Sequence, residues 1–288
     1  TTDRPAPRAS VPPADKSWRM ALWGALLALT ACTAPDAHVP PFARVPYQAF
    51  SRQAVVAVTL REWRLFGAHI AESPIGTTHA EDKPERDPGL WQRVGEYWWL
   101  GLDAGSPESG WTGKHDGSGR VFPASRDGRF AWSAAFVSYV MRIAGAGDRF
   151  PYAPDHAAYI NAARRGGRWV MAAERPDAYA PVPGDIVCRG RGWAVGLKFD
   201  DLPAEPFPSH CDIVVGPPAN GMIAVVGGNV GDSVTLRYLP VQPDGRLEDG
   251  DPPWLAVLRL SGAHDAPPAL LTQVTTPAAE VPRIGPVP

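Results

Sequence analysis

The sequence predicts an α+β fold, with N-terminal helices followed by an antiparallel sheet. Two observations support it. Apolar residues recur at helical spacing up to about residue 165, and short runs of branched residues separated by Gly and Pro turns follow. A run of helices and then a run of strands is the α+β order. With 44% hydrophobic and 20% charged residues, the chain is composed like a globular protein with a substantial core.

Four helices are predicted from apolar spacing and from the residues that end them. The first runs from Phe50 to Phe66 before Gly67, and the second from Leu90 to Leu100. A polar, Gly-rich loop follows from Asp103 to Arg129. The last two are an apolar helix over Phe130 to Ala144, closed by Gly145, and a helix from the N-cap Asp155 to Arg165, stopped by Gly166 and Gly167.

Five strands are predicted after these helices, and the outer parts of the chain are predicted to lie outside the domain. The strands are Asp185 to Cys188, Cys211 to Val215, Met222 to Val226, Ser233 to Tyr238 and Leu255 to Leu260. Residues 48–262 therefore form the predicted domain. Residues 33–47 are a Pro-rich tether reaching at most roughly 50 Å, and residues 263–288 are a Pro-rich tail predicted to be disordered.

Charge and cysteine content exclude several classes of protein. Lys and Arg number 28 against 30 Asp and Glu, a net charge of −2. This balance argues against a nucleic-acid partner, because such domains usually carry a basic excess. The cysteines Cys32, Cys188 and Cys211 lack zinc-site spacing, no HExxH motif occurs and no nucleotide-binding loop follows a strand. We predict no metal and no cofactor.

Three polar residues follow one another in an order that predicts nucleophilic catalysis. Ser133 stands near the start of the third helix, His210 opens a strand, and Asn229 follows the next strand. A helix N-terminus offers free N–H groups to a developing oxyanion. A histidine can take the serine proton, and an Asn side chain can hold the imidazole in one tautomer. Each of the three also has a plainer interpretation, as a packing, surface or turn residue.

This order resembles the papain-like amidohydrolases of bacterial cell walls, the NlpC-type peptidases and the CHAP domains. There a helix-start nucleophile precedes a Pro-Gly-Asp strand, matched by Pro183-Gly184-Asp185, and then a strand that begins with His. The resemblance covers roughly residues 125–240 and implies a papain-like fold with a Ser133, His210 and Asn229 site. The middle region, with its Trp-Ser-Ala-Ala-Phe helix, also resembles an uncharacterised bacterial domain family that often occurs in lipoproteins.

The sequence departs from the papain-like pattern at the nucleophile, which is Cys in those families and Ser133 here. A serine hydroxyl remains protonated and depends on base-assisted attack. Cys211 cannot replace it, because neighbouring strand residues point to opposite faces. A disulfide between Cys188 and Cys211 is one arrangement, but we favour two small buried thiols.

Three further residues are predicted to bind substrate beside this site. They are Trp132, His156 and Asp212. His156 lies in the first turn of its helix, where capping and packing are the simpler role.

The N-terminal segment resembles a bacterial lipoprotein signal. Lys16 and Arg19 precede the apolar run Met20 to Ala31, which at 12 residues is too short to span a bilayer. Leu29-Thr30-Ala31-Cys32 resembles a lipobox, so residues 1–32 are predicted to be a signal peptide ending in a lipid-bearing Cys32. Thr33 after this cysteine favours the outer membrane. This resemblance places the chain at the periplasmic face of the cell envelope.

Together these features predict an envelope lipoprotein, bound to the membrane through Cys32, that hydrolyses an amide or peptide bond of peptidoglycan. In this interpretation Ser133 attacks, His210 transfers the proton and Asn229 orients His210. The alternative is a non-catalytic papain-like module that binds cell-wall peptides or an envelope protein partner after losing its thiol.

Overall fold

The computed structural model describes residues 50–71, 83–102 and 105–261. The predicted signal peptide with Cys32, the tether over residues 33–47 and the tail over residues 263–288 lie outside the described residues. Within them, helices precede an antiparallel sheet, and the predicted α+β class is confirmed. Every helix in this part of the chain is too short or too polar to cross a membrane.

The described residues contain four α-helices, joined by short 3₁₀ turns. Their bounds are α1 Arg52–Leu65, α2 Leu90–Gly101, α3 Ser133–Ile143 and α4 His156–Arg165. The capping residues explain several of these limits. Ser51 accepts a hydrogen bond from the N–H of Ala54 at the start of α1, and Asp155 does the same for Ala158 at the start of α4. Helix α3 begins three residues later than predicted, because Phe130 caps a 3₁₀ turn over Ala124–Arg129 and Trp132 is the N-cap of α3, both with non-helical backbone angles.

The sheet has six strands in the spatial order β1-β6-β2-β3-β4-β5, and every neighbouring pair is antiparallel. The strands are β1 Met171–Glu174, β2 Ile186–Gly190, β3 Ser209–Val214, β4 Met222–Gly227, β5 Thr235–Pro240 and β6 Trp254–Leu260. The short edge strand β1 was not predicted. Its sequence Met-Ala-Ala-Glu has no branched residue and forms a strand only by pairing with β6.

Alternating residues of the strands divide the core into two layers. Cys211, Ile213 and Val226 pack with the helices in the larger layer. Val214, Ile223 and Val225 point to the other face of the sheet, where Leu247 and Trp254 cover them. A strand has a side-chain period of two, so both faces of this sheet are buried and its register is strongly specified.

A buried carboxylate joins the first three helices. Glu62 of α1 is fully buried and accepts hydrogen bonds of 2.6 Å from both Arg93 Nε and Arg93 Nη2 of α2. It also accepts one of 2.8 Å from the Tyr97 hydroxyl. Burial opposes ionisation of Glu62, but the hydrogen bonds from Arg93, Tyr97 and Arg61 lower its pKa. The ion pair with Arg93 explains why a carboxylate can stand on the buried face of α1.

Cys188 and Cys211 form a disulfide, so the interpretation as two separate buried thiols was wrong. The two residues are directly opposite each other on β2 and β3, with their Cα atoms 4.1 Å apart. Cross-strand register brought the sulfurs together, and that register could not be read from the sequence.

Candidate active site

The first residues of α3 and α4 meet at a hydrogen bond between two buried side chains. Ser133 Oγ lies 2.7 Å from His156 Nε2, and these side chains belong to residues that are 8% and 4% exposed. Each residue occupies the first position of its helix, after the N-caps Trp132 and Asp155. Burial lowers the pKa of His156 well below its usual value, and the neighbouring His210 lowers it further, so the imidazole is neutral near pH 7.

The backbone around Ser133 offers hydrogen-bond donors. The first N–H groups of an α-helix have no intrahelical acceptor. In the described part of the chain, no acceptor is found for the N–H of Ser133 or of Ala134, and the first backbone bond of α3 runs from Phe136 to the Trp132 carbonyl. The serine hydroxyl therefore stands beside free donors at the positive end of the α3 dipole.

A second imidazole lies beside the first and is backed by a carboxylate. The ring centroids of His156 and His210 are 5.5 Å apart. His210 Nε2 lies 3.2 Å from Asp212 Oδ1, and Arg237 donates a hydrogen bond to Asp212 Oδ2. Residues two apart on a strand share a face, which is why His210 and Asp212 meet on β3.

Neighbouring charges and burial determine which of His210 and Asp212 is ionised. Burial opposes the ionised form of Asp212, but Arg237 and His210 hold its pKa well below the usual range. Burial lowers the pKa of His210, although Asp212 acts in the opposite direction. A carboxylate can only accept, so a neutral His210 carries its proton on Nε2 and donates it to Asp212. Nδ1 of His210 keeps its lone pair and can accept a proton.

Sequence comparison assigns the region that carries this site to a family. Residues 85–260 match a family described as an uncharacterized protein conserved in bacteria (DUF2272). The chain belongs to this family. The match covers more than half of the chain and includes Ser133, His156, His210 and Asp212. Neither the curated proteins nor the solved structures contain a match to this chain.

In the DUF2272 region, Asn229 does not make the contact with His210 that its predicted orienting role requires. Asn229 lies in the turn between β4 and β5 with a φ of 56°, in the left-handed region that Asn tolerates better than most residues. Among the described residues its side chain has no hydrogen-bond partner, whereas Asp212 bonds the His210 ring. The pairing of Ser133 also differs, since its hydroxyl bonds His156 and not His210. The sequence did contain a signal for the orienting residue, because Asp212 stands two residues after His210 on the same strand and so shares a face with it.

Trp132 supports the start of α3 from within the core. It is 1% exposed, and its indole Nε1 donates a hydrogen bond to Glu85 Oε2. Burial raises the pKa of Glu85 to about 8, although the hydrogen bond from Trp132 acts in the opposite direction. The nearby carboxylates of Asp232 and Asp127 raise it as well. In this structure the Trp132 side chain lies in the core, and its contact with substrate stays a prediction.

Asp185 of the Pro-Gly-Asp motif holds the fold and lies outside the site. Its carboxylate is fully buried and accepts hydrogen bonds of 2.5 Å from Arg52 Nη1, 2.9 Å from the Tyr179 hydroxyl and 2.9 Å from the Leu260 N–H. Gly184 has a φ of 94°, and a Cβ there would lie 3.0 Å from the Arg52 Cβ. The motif therefore joins α1 to strands β2 and β6.

No metal site emerges in the described residues, where no three His, Cys, Asp or Glu side chains are placed to hold one ion. Two surface cavities of the described residues are lined by neither Ser133 nor His156. The first, of about 750 Å³, is lined by residues that include Asp155, Ala158 and Trp169, and the second by residues around Arg175 and Trp254.

Proposed function

We propose that this DUF2272 chain is a papain-like hydrolase of the bacterial cell envelope that cleaves an amide or peptide bond of peptidoglycan, with Ser133 as its nucleophile. The observation that carries the proposal is the 2.7 Å hydrogen bond that holds Ser133 Oγ at a helix N-terminus beside two imidazoles. The fold name, the substrate and the location under a lipid anchor on Cys32 rest on the sequence resemblances.

The first chemical step follows from the charges of the site. We assign the base to His210, because Asp212 holds its Nε2 proton and leaves its Nδ1 lone pair free for the serine proton. Ser133 Oγ is bonded to His156 in this structure, so the movement that admits substrate must also bring Oγ within reach of this nitrogen. Ser133 Oγ then bonds to the carbonyl carbon, and the π pair of the carbonyl moves to its oxygen. In this proposal the N–H groups of Ser133 and Ala134 stabilise that oxyanion. When the carbonyl re-forms, the C–N bond breaks and the imidazolium gives its proton to the leaving nitrogen. Water then attacks the acyl-enzyme with His210 again as base, and this second step releases the acid and restores the Ser133 hydroxyl.

Burial of Ser133 and His156 supports a second candidate, a non-catalytic module that binds wall peptides or an envelope protein. Both side chains are almost fully buried, and neither of the two cavities described above is lined by them. Hydrolysis therefore requires a movement that admits substrate, while binding at the cavity beside α4 requires none.

One experiment separates the two functions. The purified chain, its Ser133→Ala variant and its Ser133→Cys variant are incubated with peptidoglycan, and the released fragments are identified by mass spectrometry. Hydrolysis predicts fragments from the wild type, none from the Ala variant and some from the Cys variant, because a thiolate is a competent nucleophile in the same place. Binding predicts no fragments and equal sedimentation of all three proteins with the wall.

A further inference from the structure

His156 makes a hydrogen bond at each ring nitrogen, and the proposed chemistry assigns it no step. Its Nε2 is bonded to Ser133 Oγ at 2.7 Å, and its Nδ1 is bonded to the Tyr159 hydroxyl one turn along α4. His156 is 4% exposed and Tyr159 is fully buried. A neutral imidazole has one donor and one acceptor nitrogen. His156 therefore donates a hydrogen bond to one of its two partners and accepts one from the other.

The Tyr159 hydroxyl decides that arrangement. Burial raises the pKa of Tyr159 well above its usual value, so the phenol keeps its proton. Within the described residues, His156 Nδ1 is the only hydrogen-bond partner of this hydroxyl. If Nδ1 carried the proton instead, the phenol proton would be buried without an acceptor, which is unfavourable for a polar group away from water. Tyr159 therefore donates to Nδ1, and the proton of His156 is on Nε2.

We infer that His156 is a positioning residue which donates its Nε2–H to Ser133 Oγ, so that the serine's own proton is directed away from His156. This inference rests on the proposed function for its consequence. With one lone pair of Oγ engaged by His156, the hydroxyl hydrogen points elsewhere. The second imidazole, His210, lies 5.5 Å from His156 between ring centroids and has an unprotonated nitrogen that can take this proton in the proposed reaction. The two histidines thus have different roles, which their own partners, Tyr159 and Asp212, impose.

The Nε2–H of His156 also has a role during the proposed reaction. As the Oγ–H bond breaks and the proton passes to His210 Nδ1, negative charge develops on Oγ before the bond to the carbonyl carbon is complete. The Nε2–H of His156 stabilises this charge and neither gains nor loses a proton. A serine that lacks the low pKa of a thiol gains most from such a donor, so His156 offers a physical reason why Ser can stand where the papain-like pattern has Cys.

The tautomer of His156 is measurable without any substrate. The full chain is labelled with ¹⁵N at histidine, and long-range ¹H–¹⁵N spectra near pH 7 report which ring nitrogen carries the proton; His156→Gln identifies the signals. We expect a protonated Nε2 and an unprotonated, hydrogen-bonded Nδ1. In Tyr159→Phe the Nδ1 resonance should move most. A protonated Nδ1 in the wild type would overturn the inference and make His156 the base for Ser133, with Ser133 catalysis untouched.

Hydrolysis provides the second readout if the wild type releases fragments. His156→Ala should lower kcat by about 10²-fold, as for other lost donors to a developing charge, while KM stays nearly constant. His156→Gln keeps an N–H donor and should recover most of this loss. Equal loss in both variants would indicate that His156 serves as base or as packing and would contradict the donor role. If the wild type releases nothing, the proposed function fails, and the spectra still decide the tautomer.

Discussion

Ser133 and His156 are each the first residue of a helix, and their side chains join the two helix N-termini by a 2.7 Å hydrogen bond. A helix N-terminus carries a positive partial charge, which disfavours an imidazolium. Burial acts in the same direction and lowers the pKa of His156. The fold therefore keeps this imidazole neutral, as the proposed donor role of His156 requires.

Asp212→Asn should impair hydrolysis far more than Asn229→Ala. Asn at position 212 can donate to His210 Nε2 and stabilise the wrong tautomer, in which Nδ1 is protonated and cannot take the serine proton. We expect a loss in kcat on the order of 10³ to 10⁴, as for a triad aspartate. Asn229→Ala should cost less than about tenfold, because its side chain bonds no described residue. The reverse ranking in fragment release from peptidoglycan would restore Asn229 as the orienting residue.

Sequence patterns predicted the order of the elements, and side-chain contacts across the fold decided the site. Helical spacing placed Ser133 at a helix start, and a branched run placed His210 at a strand start. The partner of Ser133 depends on the meeting of the N-termini of α3 and α4, and the partner of His210 on the side-chain period of β3. The sequence does not show the first of these, so His156 and Asp212 were predicted only to bind substrate. Strand β1 was missed because pairing, and not propensity, makes it a strand.

Replacing both Cys188 and Cys211 by Ala should destabilise the domain. The disulfide closes a loop with a sequence separation of 23, for which the chain-entropy relation gives a stabilisation of about 3 kcal/mol. Urea unfolding followed by tryptophan fluorescence measures the difference. Ser125→Ala, at an exposed position of the described domain, serves as the control and should leave the midpoint unchanged. An unchanged midpoint in the double variant would mean that the bond does not constrain the unfolded chain.

Glu85→Gln should become progressively more stable than the wild type as pH rises. The folded-state pKa of Glu85 is about 8 and its unfolded value is near 4.5. Between these values the folded protein binds more protons, so the contribution of Glu85 to stability is complete below about pH 4.5 and is lost as pH rises through 8. Gln keeps an acceptor for the Trp132 indole but does not ionise.

Chemical unfolding at about pH 5 and about pH 9 tests this relation, because it compares the two proteins at both ends of the titration. The difference in unfolding free energy should shift in favour of the variant by roughly 2 to 4 kcal/mol across this range. The exposed Glu205→Gln is the control and should show no such shift. A constant difference for Glu85→Gln would show that Glu85 ionises with an ordinary pKa beneath Trp132.

Gly227→Ala should disable the site while leaving a folded protein. A Cβ at position 227 would lie 2.0 Å from Asp212 Oδ1 and 3.1 Å from His210 Nε2, so the added methyl would displace the carboxylate from the imidazole. Overpacking of this kind typically costs about 1 to 3 kcal/mol, which a domain of ordinary stability survives. We expect fragment release to fall by at least about 10²-fold, because His210 loses the acceptor that fixes its tautomer.

Gly216→Ala is the matched control, since a Cβ there would lie 3.6 Å from the Ala224 Cβ, an ordinary contact. Full activity of Gly227→Ala, with circular dichroism like that of the wild type, would show that the contact between His210 and Asp212 is not required for hydrolysis.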